Sequence, residues 1–420
     1  MRKQIPQLFV AFLWVMLLSG SLTFLSPEDA RLHDFTAARE FDYFTWTLKA
    51  AFVKWEQYAL DSPKYFDADS QKDIIASWLN LTDELMRTES RLSEIYADPS
   101  IEDPEAASAD IRAHLEDVQR EQRRLAPFAE SILQAQITRT LDEAGLATAG
   151  QPLPPVLYRV TSTPLALIIS PRDHIEQKAN ISLVSDLTIA EQDALENQIS
   201  QALDVSALVV PVGGIGVYPT MVMQTTNLPW MLETIAHEWT HNYLDWHPLG
   251  RNYDTTPELR TMNETTAMIV GKEIGSATLR RDYPERAFGS VLARPPIQPN
   301  ETNPTIGGPP PFDFRLEMHK TRVHVDELLA EGKIEEAEAY MNMRRQVFWN
   351  HGYAIRKLNQ AYFAFYGAYA DVPGGAAGED PVGPAVRELR RKCGTLANFV
   401  HTIAEMDSFE DLQETLRSMP

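Results

Sequence analysis

The sequence predicts an α+β protein, mostly helical, in which a long helical region precedes a core built around a small mixed sheet. Three observations predict it. Apolar residues recur at spacings of three and four through the first third of the chain. After a Pro-rich break at 150–155 the pattern changes to runs of Val, Ile and Leu bounded by turn residues. Helical periodicity then returns at 229 and continues, with interruptions, towards the C-terminus.

The chain opens with Arg2 and Lys3, then an apolar run over 8–18 that Ser19-Gly20-Ser21 interrupts before Leu22-Thr23-Phe24-Leu25 resumes it. Read as far as Leu18, the run is a signal-peptide core with a small-x-small cleavage site at Ser19 and Ser21. Read through to Leu25, it is long enough to cross a bilayer as an uncleaved anchor, and the resumed apolar stretch favours that reading. Either way, 1–30 is a targeting segment whose positive flank stays inside while the body is exported. No cysteine follows the run, which excludes a lipid-modified N-terminus.

Residues 31–149 read as a helical region. Phe41, Phe44, Leu48, Phe52 and Trp55 form one stripe; Ile74, Trp78, Leu81 and Leu85 form a second; Ile111, Leu115 and Val118 form a third. These stripes are expected to pack in the core or between helices, and no chemistry is visible among them. Gly150-Gln151-Pro152-Leu153-Pro154-Pro155 reads as a linker into a core over 150–290. In that core, 156–169 and 181–187 are predicted strands, 189–203 a helix and 206–224 further strand, with Gly213, Gly214 and Gly216 marking a bend or bulge. Two helices follow, over 229–246 and 257–274. The last part, 291–420, starts with a Pro- and Gly-rich loop over 294–311. Helices then run from 312 onward, broken over 372–384 around Gly374, Gly375 and Gly378.

Composition narrows the function. Hydrophobic residues make up 44% and charged residues 23% of the 420 positions, an ordinary globular profile. The net charge of -21 repels phosphate backbones and argues against a nucleic-acid partner. Cys393 is the single cysteine, so neither a disulfide framework nor a Cys-rich metal site is available, and a metal must use histidine and carboxylate ligands.

Such ligands occur in the segment His237-Glu238-Trp239-Thr240-His241. Chance yields only about 0.02 such HExxH matches in a chain of this composition. On a helix, residues four apart lie roughly 40° from one another, so both imidazoles reach one ion, and Glu238, offset about 100°, reaches a water beside it. Leu232, Ile235, Trp239, Tyr243 and Trp246 are expected on the opposite, buried face. Zinc needs a third protein ligand. Glu264 stands on a helix with a Thr cap, Pro257 in its first turn and Glu258 near its positive end, and small residues Ala267 and Gly271 share its side. His247 is the alternative, because His237 to His247 matches the spacing HExxHxxGxxH of metzincins. Leu244 stands where that pattern has the glycine that turns the chain back, so the helix is expected to continue and carry His247 away.

The block Met262-Asn263-Glu264-Thr265-Thr266-Ala267 resembles the NE-x-x-A pattern that carries the third ligand in gluzincins, the HExxH-plus-Glu class of zinc peptidases. More specifically, the chain resembles a family of bacterial membrane-associated aminopeptidases whose motifs include a downstream Asn and Tyr in a helix. Leu358-Asn359-Gln360-Ala361 and Tyr369 stand where that pattern places them. The likeness covers about 208–373 and is carried by the HExxH and NE-x-x-A parts. Gln360 replaces a second Asn, no GxMEN-type motif for a free amino terminus is present, and the region before Gly150 has no counterpart. The resemblance implies a zincin-like domain with a small mixed sheet, an HExxH helix and a helical C-terminal part. It also implies one zinc ion on His237, His241 and Glu264, hydrolysis of a peptide or protein substrate with Glu238 as general base, and Tyr369 as donor to the oxyanion. Tyr353, Tyr366, His319, His324 and His351 are other possible donors. The stretch from Gly214 to Met223 is a candidate edge for an extended peptide. Two non-catalytic functions stay open: a zinc-stabilised scaffold, and a metal-free exported interaction module built on the N-terminal helices.

Overall fold

The computed structural model of the protein describes residues 27–60, 62–97, 103–287, 312–353, 355–367 and 381–419. Within these the α+β, mostly helical class is borne out. The apolar run over 8–25, the loop over 294–311, Tyr369 and most of the break over 372–384 lie outside the described residues. No helix among the described residues is long and apolar enough to cross a membrane.

The N-terminal region contains α1 (Pro27–Thr36), α2 (Tyr43–Leu60), α3 (Ala68–Ala97) and α4 (Ala109–Glu143). α3 buries Ile75, Trp78, Leu79 and Leu85, and α4 buries Ile132, Leu133, Ile137 and Leu141, each a stripe at helical spacing. α2 departs from expectation. Three residues of its predicted core stripe face outward, Phe44 57%, Leu48 39% and Phe52 73% exposed. The face turned inward carries Ala50, Lys54 and Gln57. Lys54 Nζ donates to Glu130 Oε2 on α4 at 2.6 Å, and Gln57 Nε2 joins the same oxygen at 3.1 Å. A buried ion pair that loses its partner is far costlier than an exposed aromatic, so charge pairing decides which face of α2 is covered.

After the linker come β1 (Tyr158–Thr161), β2 (Leu165–Pro171), β3 (Ala179–Leu183), α5 (Ile189–Leu203), β4 (Val205–Pro211), β5 (Gly214–Ile215) and β6 (Thr220–Met223). Instead of one small mixed sheet they form two three-stranded sheets. The first, ordered β3-β2-β4, is antiparallel, with Ile168 opposite Leu208. Both its faces are covered, which explains its uninterrupted apolar runs. Ala166, Ile168, Leu208 and Val210 face one cluster, whereas Leu167, Ile169, Ala207 and Val209 face another with α1 and α5. The second sheet, ordered β1-β6-β5, is mixed: β1 runs parallel to β6, and β5 pairs antiparallel to it as an edge strand. The strand expected over 206–224 is thus divided in three, and β4 and β5 belong to different sheets.

Two long helices follow, α6 (Leu228–Leu244) and α7 (Pro257–Asp282). α6 starts where Asn227 accepts the Trp230 N–H, with Pro229 in its first turn. α7 starts where Thr256 accepts the Leu259 N–H, with Pro257 in its first turn, and runs one further two-turn stretch beyond the predicted end at 274. Beyond single-turn helices, the rest are α8 (Phe314–Ala330), α9 (Ile334–Asn350), α10 (Gln360–Tyr366), α11 (Val382–Lys392), α12 (Leu396–Ala404) and α13 (Phe409–Ser418) among the described residues. α8, α9 and α10 cover one face of the first sheet.

The break at 150 separates two kinds of secondary structure but not two cores. Trp78 of α3, Ile137 of α4, Tyr158 of β1, Ile235 of α6, Val270 of α7 and Phe399 of α12 belong to one hydrophobic cluster. Polar contacts reinforce it: the Thr140 and Thr278 hydroxyls meet at 2.7 Å, and Arg281 Nη2 donates to the Gln136 carbonyl at 2.8 Å. The linker itself is pinned to α6, because the Trp239 indole N–H donates to the Pro154 carbonyl at 2.8 Å.

Candidate metal centre

α6 lies between the mixed sheet and α7, and its two sides do different work. Leu232, Ile235 and Trp239 are buried in the main cluster as expected, each fully buried apolar side chain contributing about 1.5–3 kcal/mol. Trp246 does not belong to that face: it lies past the end of α6 and is 62% exposed. Asn242 Nδ2 donates to Thr220 Oγ1 at 3.1 Å, tying the helix to β6.

The other side of α6 meets α7 at very short range. A Cβ on Gly271 would stand 2.8 Å from the Glu233 carbonyl oxygen and 3.1 Å from His237 Cβ; one on Gly275 would stand 2.7 Å from the Glu233 nitrogen. Only glycine permits this approach, and it brings Glu264 across to the two histidines. Among the described residues, His237, His241 and Glu264 form the one group of three potential ligands whose donor atoms all lie within 4.8 Å of each other. The His237 and His241 Nε2 atoms are 3.0 Å apart, and each is 3.6 Å from Glu264 Oε2. Tetrahedral zinc spaces its ligand atoms about 3.3 Å apart, so this triangle has the size such an ion requires.

The surroundings of these atoms point the same way. Glu264 Oε2 is buried and has no hydrogen-bond partner, whereas Oε1 accepts from the Tyr253 hydroxyl at 2.5 Å. Asn263 Oδ1 lies 2.8 Å from His241 Nδ1, which leaves Nε2 to face the triangle. Burial opposes charge on Glu264, yet attraction from His241 and His237 outweighs it and holds the carboxyl well below its usual range. Burial likewise opposes charge on His241, and the Glu264 carboxylate outweighs it, raising the imidazole to about 9. At 3.6 Å the carboxylate–imidazole contacts are too long for hydrogen bonds, so this attraction is coulombic. The donor set fits a divalent cation.

Glu238 stands beside the triangle, only 7% exposed. Burial raises its pKa, partly offset by the neighbouring imidazoles. β5 passes directly over it: a Cβ on Gly214 would stand 2.5 Å from Glu238 Oε1, and one on Gly216 would stand 3.0 Å from His241 Cβ. The glycines expected to mark a bend are therefore where a strand crosses the helix at backbone distance.

His247 is not part of the group. Its Nδ1 lies 2.7 Å from Glu405 Oε1, and its ring stacks on Tyr243 with centroids 4.6 Å apart. The reason differs from the one expected. α6 does not continue past Leu244; it stops, and the chain folds back so closely that a Cβ on Gly250 would stand 2.2 Å from the Leu244 carbonyl. The glycine that this close approach requires thus follows the histidine instead of preceding it.

The described downstream candidates have partners of their own outside the His237–His241–Glu264 group. Asn359 is the N-cap of α10 and not a residue within it: its Oδ1 accepts the Tyr362 N–H, and its Nδ2 donates to the Ala207 carbonyl at 3.1 Å. Gln360 Nε2 donates to the Arg172 carbonyl. Tyr366 packs against Tyr362, Tyr353 against Phe314 and His351 against Phe312, while His324 pairs with Glu327. His319 lies on α8. Sequence reasoning passed over Tyr253, which sits in a loop without periodic pattern, eleven residues from the carboxylate it contacts. The chain matches no protein-family model, no curated protein and no solved structure.

Proposed function

We propose that the protein is an exported, zinc-dependent peptidase of the gluzincin type with a zincin-like catalytic core. The observation that carries this reading is the buried Glu264 Oε2, without a hydrogen-bond partner and equidistant from two imidazole nitrogens, with a second buried carboxylate beside it. His237, His241 and Glu264 are the protein ligands. A structural zinc site closes with four protein ligands, whereas three are present among the described residues, the count of a catalytic site. A zinc ion held there supplies a Lewis acid that lowers the pKa of bound water towards neutrality and polarises the scissile carbonyl.

Glu238 is the general base. It takes a proton from the attacking water and delivers it to the leaving amine, and the upward shift caused by burial brings its proton affinity closer to that task. β5 is an edge strand crossing Glu238, so its free side is the place for an extended peptide to add by main-chain hydrogen bonds. Tyr369 takes the role of oxyanion donor through the family resemblance. The export segment at the N-terminus places the body outside the cytoplasm, held at the membrane where it is not cleaved.

Glu238→Gln tests the reading. The substitution keeps shape and leaves the three ligands in place, so the purified variant is expected to hold one zinc per chain and to lose hydrolysis of a peptide library by at least about 100-fold, the lower end of general acid–base contributions. A zinc-loaded variant that cleaves at the wild-type rate refutes the mechanism. Wild-type protein that binds zinc and cleaves no peptide points to the scaffold instead.

A further inference from the structure

The two oxygens of Glu264 are treated differently by the protein. Oε2 faces both imidazole nitrogens at 3.6 Å and is buried without a hydrogen bond. Oε1 accepts from Tyr253 at 2.5 Å. Tyr253 is itself held in place: its backbone N–H donates to the Gly250 carbonyl at 3.1 Å, and its ring stands edge-on to His241, centroids 6.2 Å apart and planes at 88°. Gly250 in turn is packed against the end of α6. A chain of short-range contacts therefore runs from the end of the HExxH helix, through the turn, to the distal oxygen of the third ligand.

We propose that Tyr253 is a positioning residue of the metal centre, which occupies Glu264 Oε1 and thereby makes Glu264 a single-oxygen ligand. The proposal rests on the zinc reading above. A carboxylate beside a divalent cation is free to bind through either or both oxygens. Binding through both fills a coordination position that water or substrate needs in a catalytic site. A hydroxyl donor on one oxygen biases the carboxylate towards the other, and such outer partners alter metal affinity about 10- to 100-fold. Asn263 plays the matching part for His241 by holding Nδ1. Tyr253 and Asn263 thus orient one ligand each.

The test uses the full chain with Tyr253→Phe, which removes the hydroxyl and keeps the ring against His241. Zinc affinity is read by competition with a chromophoric chelator, and ligand geometry by the visible absorption of the cobalt(II)-substituted protein. The variant is expected to bind one zinc with a Kd raised about 10- to 100-fold. Its cobalt bands should weaken as coordination expands from four to five. Thermal unfolding of the metal-free variant checks that it is folded. A variant with wild-type zinc affinity and an unchanged cobalt spectrum overturns the proposal while the zinc reading stands. If wild-type protein binds no zinc, or if Glu264→Ala binds it as tightly as wild type, the underlying reading has failed instead.

Discussion

A buried carboxylate oxygen without a partner costs about 1–3 kcal/mol, and Glu264 Oε2 stands in that position between two imidazoles. Whatever positive charge settles there removes the cost, so protons and metal compete for one set of atoms. Without metal, His241 holds its proton up to about 9. Zinc must displace that proton, so its apparent affinity is expected to rise with pH and to level off above about 9. The stability of the metal-free protein should move the opposite way. A histidine raised above its ordinary 6.5 contributes stability fully below that value and loses it as pH rises through about 9. Chelator competition across pH 6 to 10, beside thermal unfolding of metal-free protein, reads both slopes. Zinc affinity that is flat between pH 6.5 and 9 would show that His241 carries no proton for zinc to displace in that range.

At the scale of elements, the centre depends on how closely α6 and α7 approach. Glu264 and Gly271 lie two turns apart on the same face of α7, so the glycine sets the separation that the carboxylate has to bridge. The atoms facing Gly271 are the Glu233 carbonyl and the backbone and Cβ of His237, none of which moves without moving α6. Gly271→Val is therefore expected to cost about 1–3 kcal/mol by overpacking and to weaken zinc binding by displacing Glu264. Gly394→Ala is the control, because a Cβ there meets nothing within 4 Å. Calorimetric unfolding with and without zinc separates the two effects. A Gly271 variant with wild-type stability and affinity would mean that the helix spacing does not govern the site.

At the scale of the molecule, the helical region before the linker and the core that carries His237, His241 and Glu264 share one hydrophobic cluster. The Lys54–Glu130 pair stands where the two meet: Glu130 Oε2 accepts from Lys54 on α2, and Oε1 accepts from the Val160 N–H on β1 at 3.0 Å. Removing one member of a buried pair typically costs about 3–5 kcal/mol, since it strands the other charge. Lys54→Met should lower the unfolding midpoint of the whole chain, with zinc released in the same transition. Two separate transitions, with zinc retained through the first, would show instead that the N-terminal helices fold independently of the core.

Much of this was legible in local pattern. The spacing of Trp78 with its neighbours, the Thr256-Pro257 start of α7, the apolar runs of β2 and β4, and the His–Glu–His segment all report conformations decided within a few residues. Periodicity shows that a helix exists and which residues share a face. The face that is buried depends on what meets it. Phe44, Leu48 and Phe52 of α2 face outward because Lys54, on the other side of the helix, finds Glu130 across 76 residues of chain. His247 goes to Glu405, 158 residues away, and Tyr253 reaches Glu264 from an aperiodic turn. The sequence by itself determined most of the helices and the chemistry of the His–Glu–His segment, because these follow from local backbone preference and side-chain type. Only the tertiary structure decided which face is covered and which oxygen is free, because burial and pairing are set by partners that local pattern cannot name.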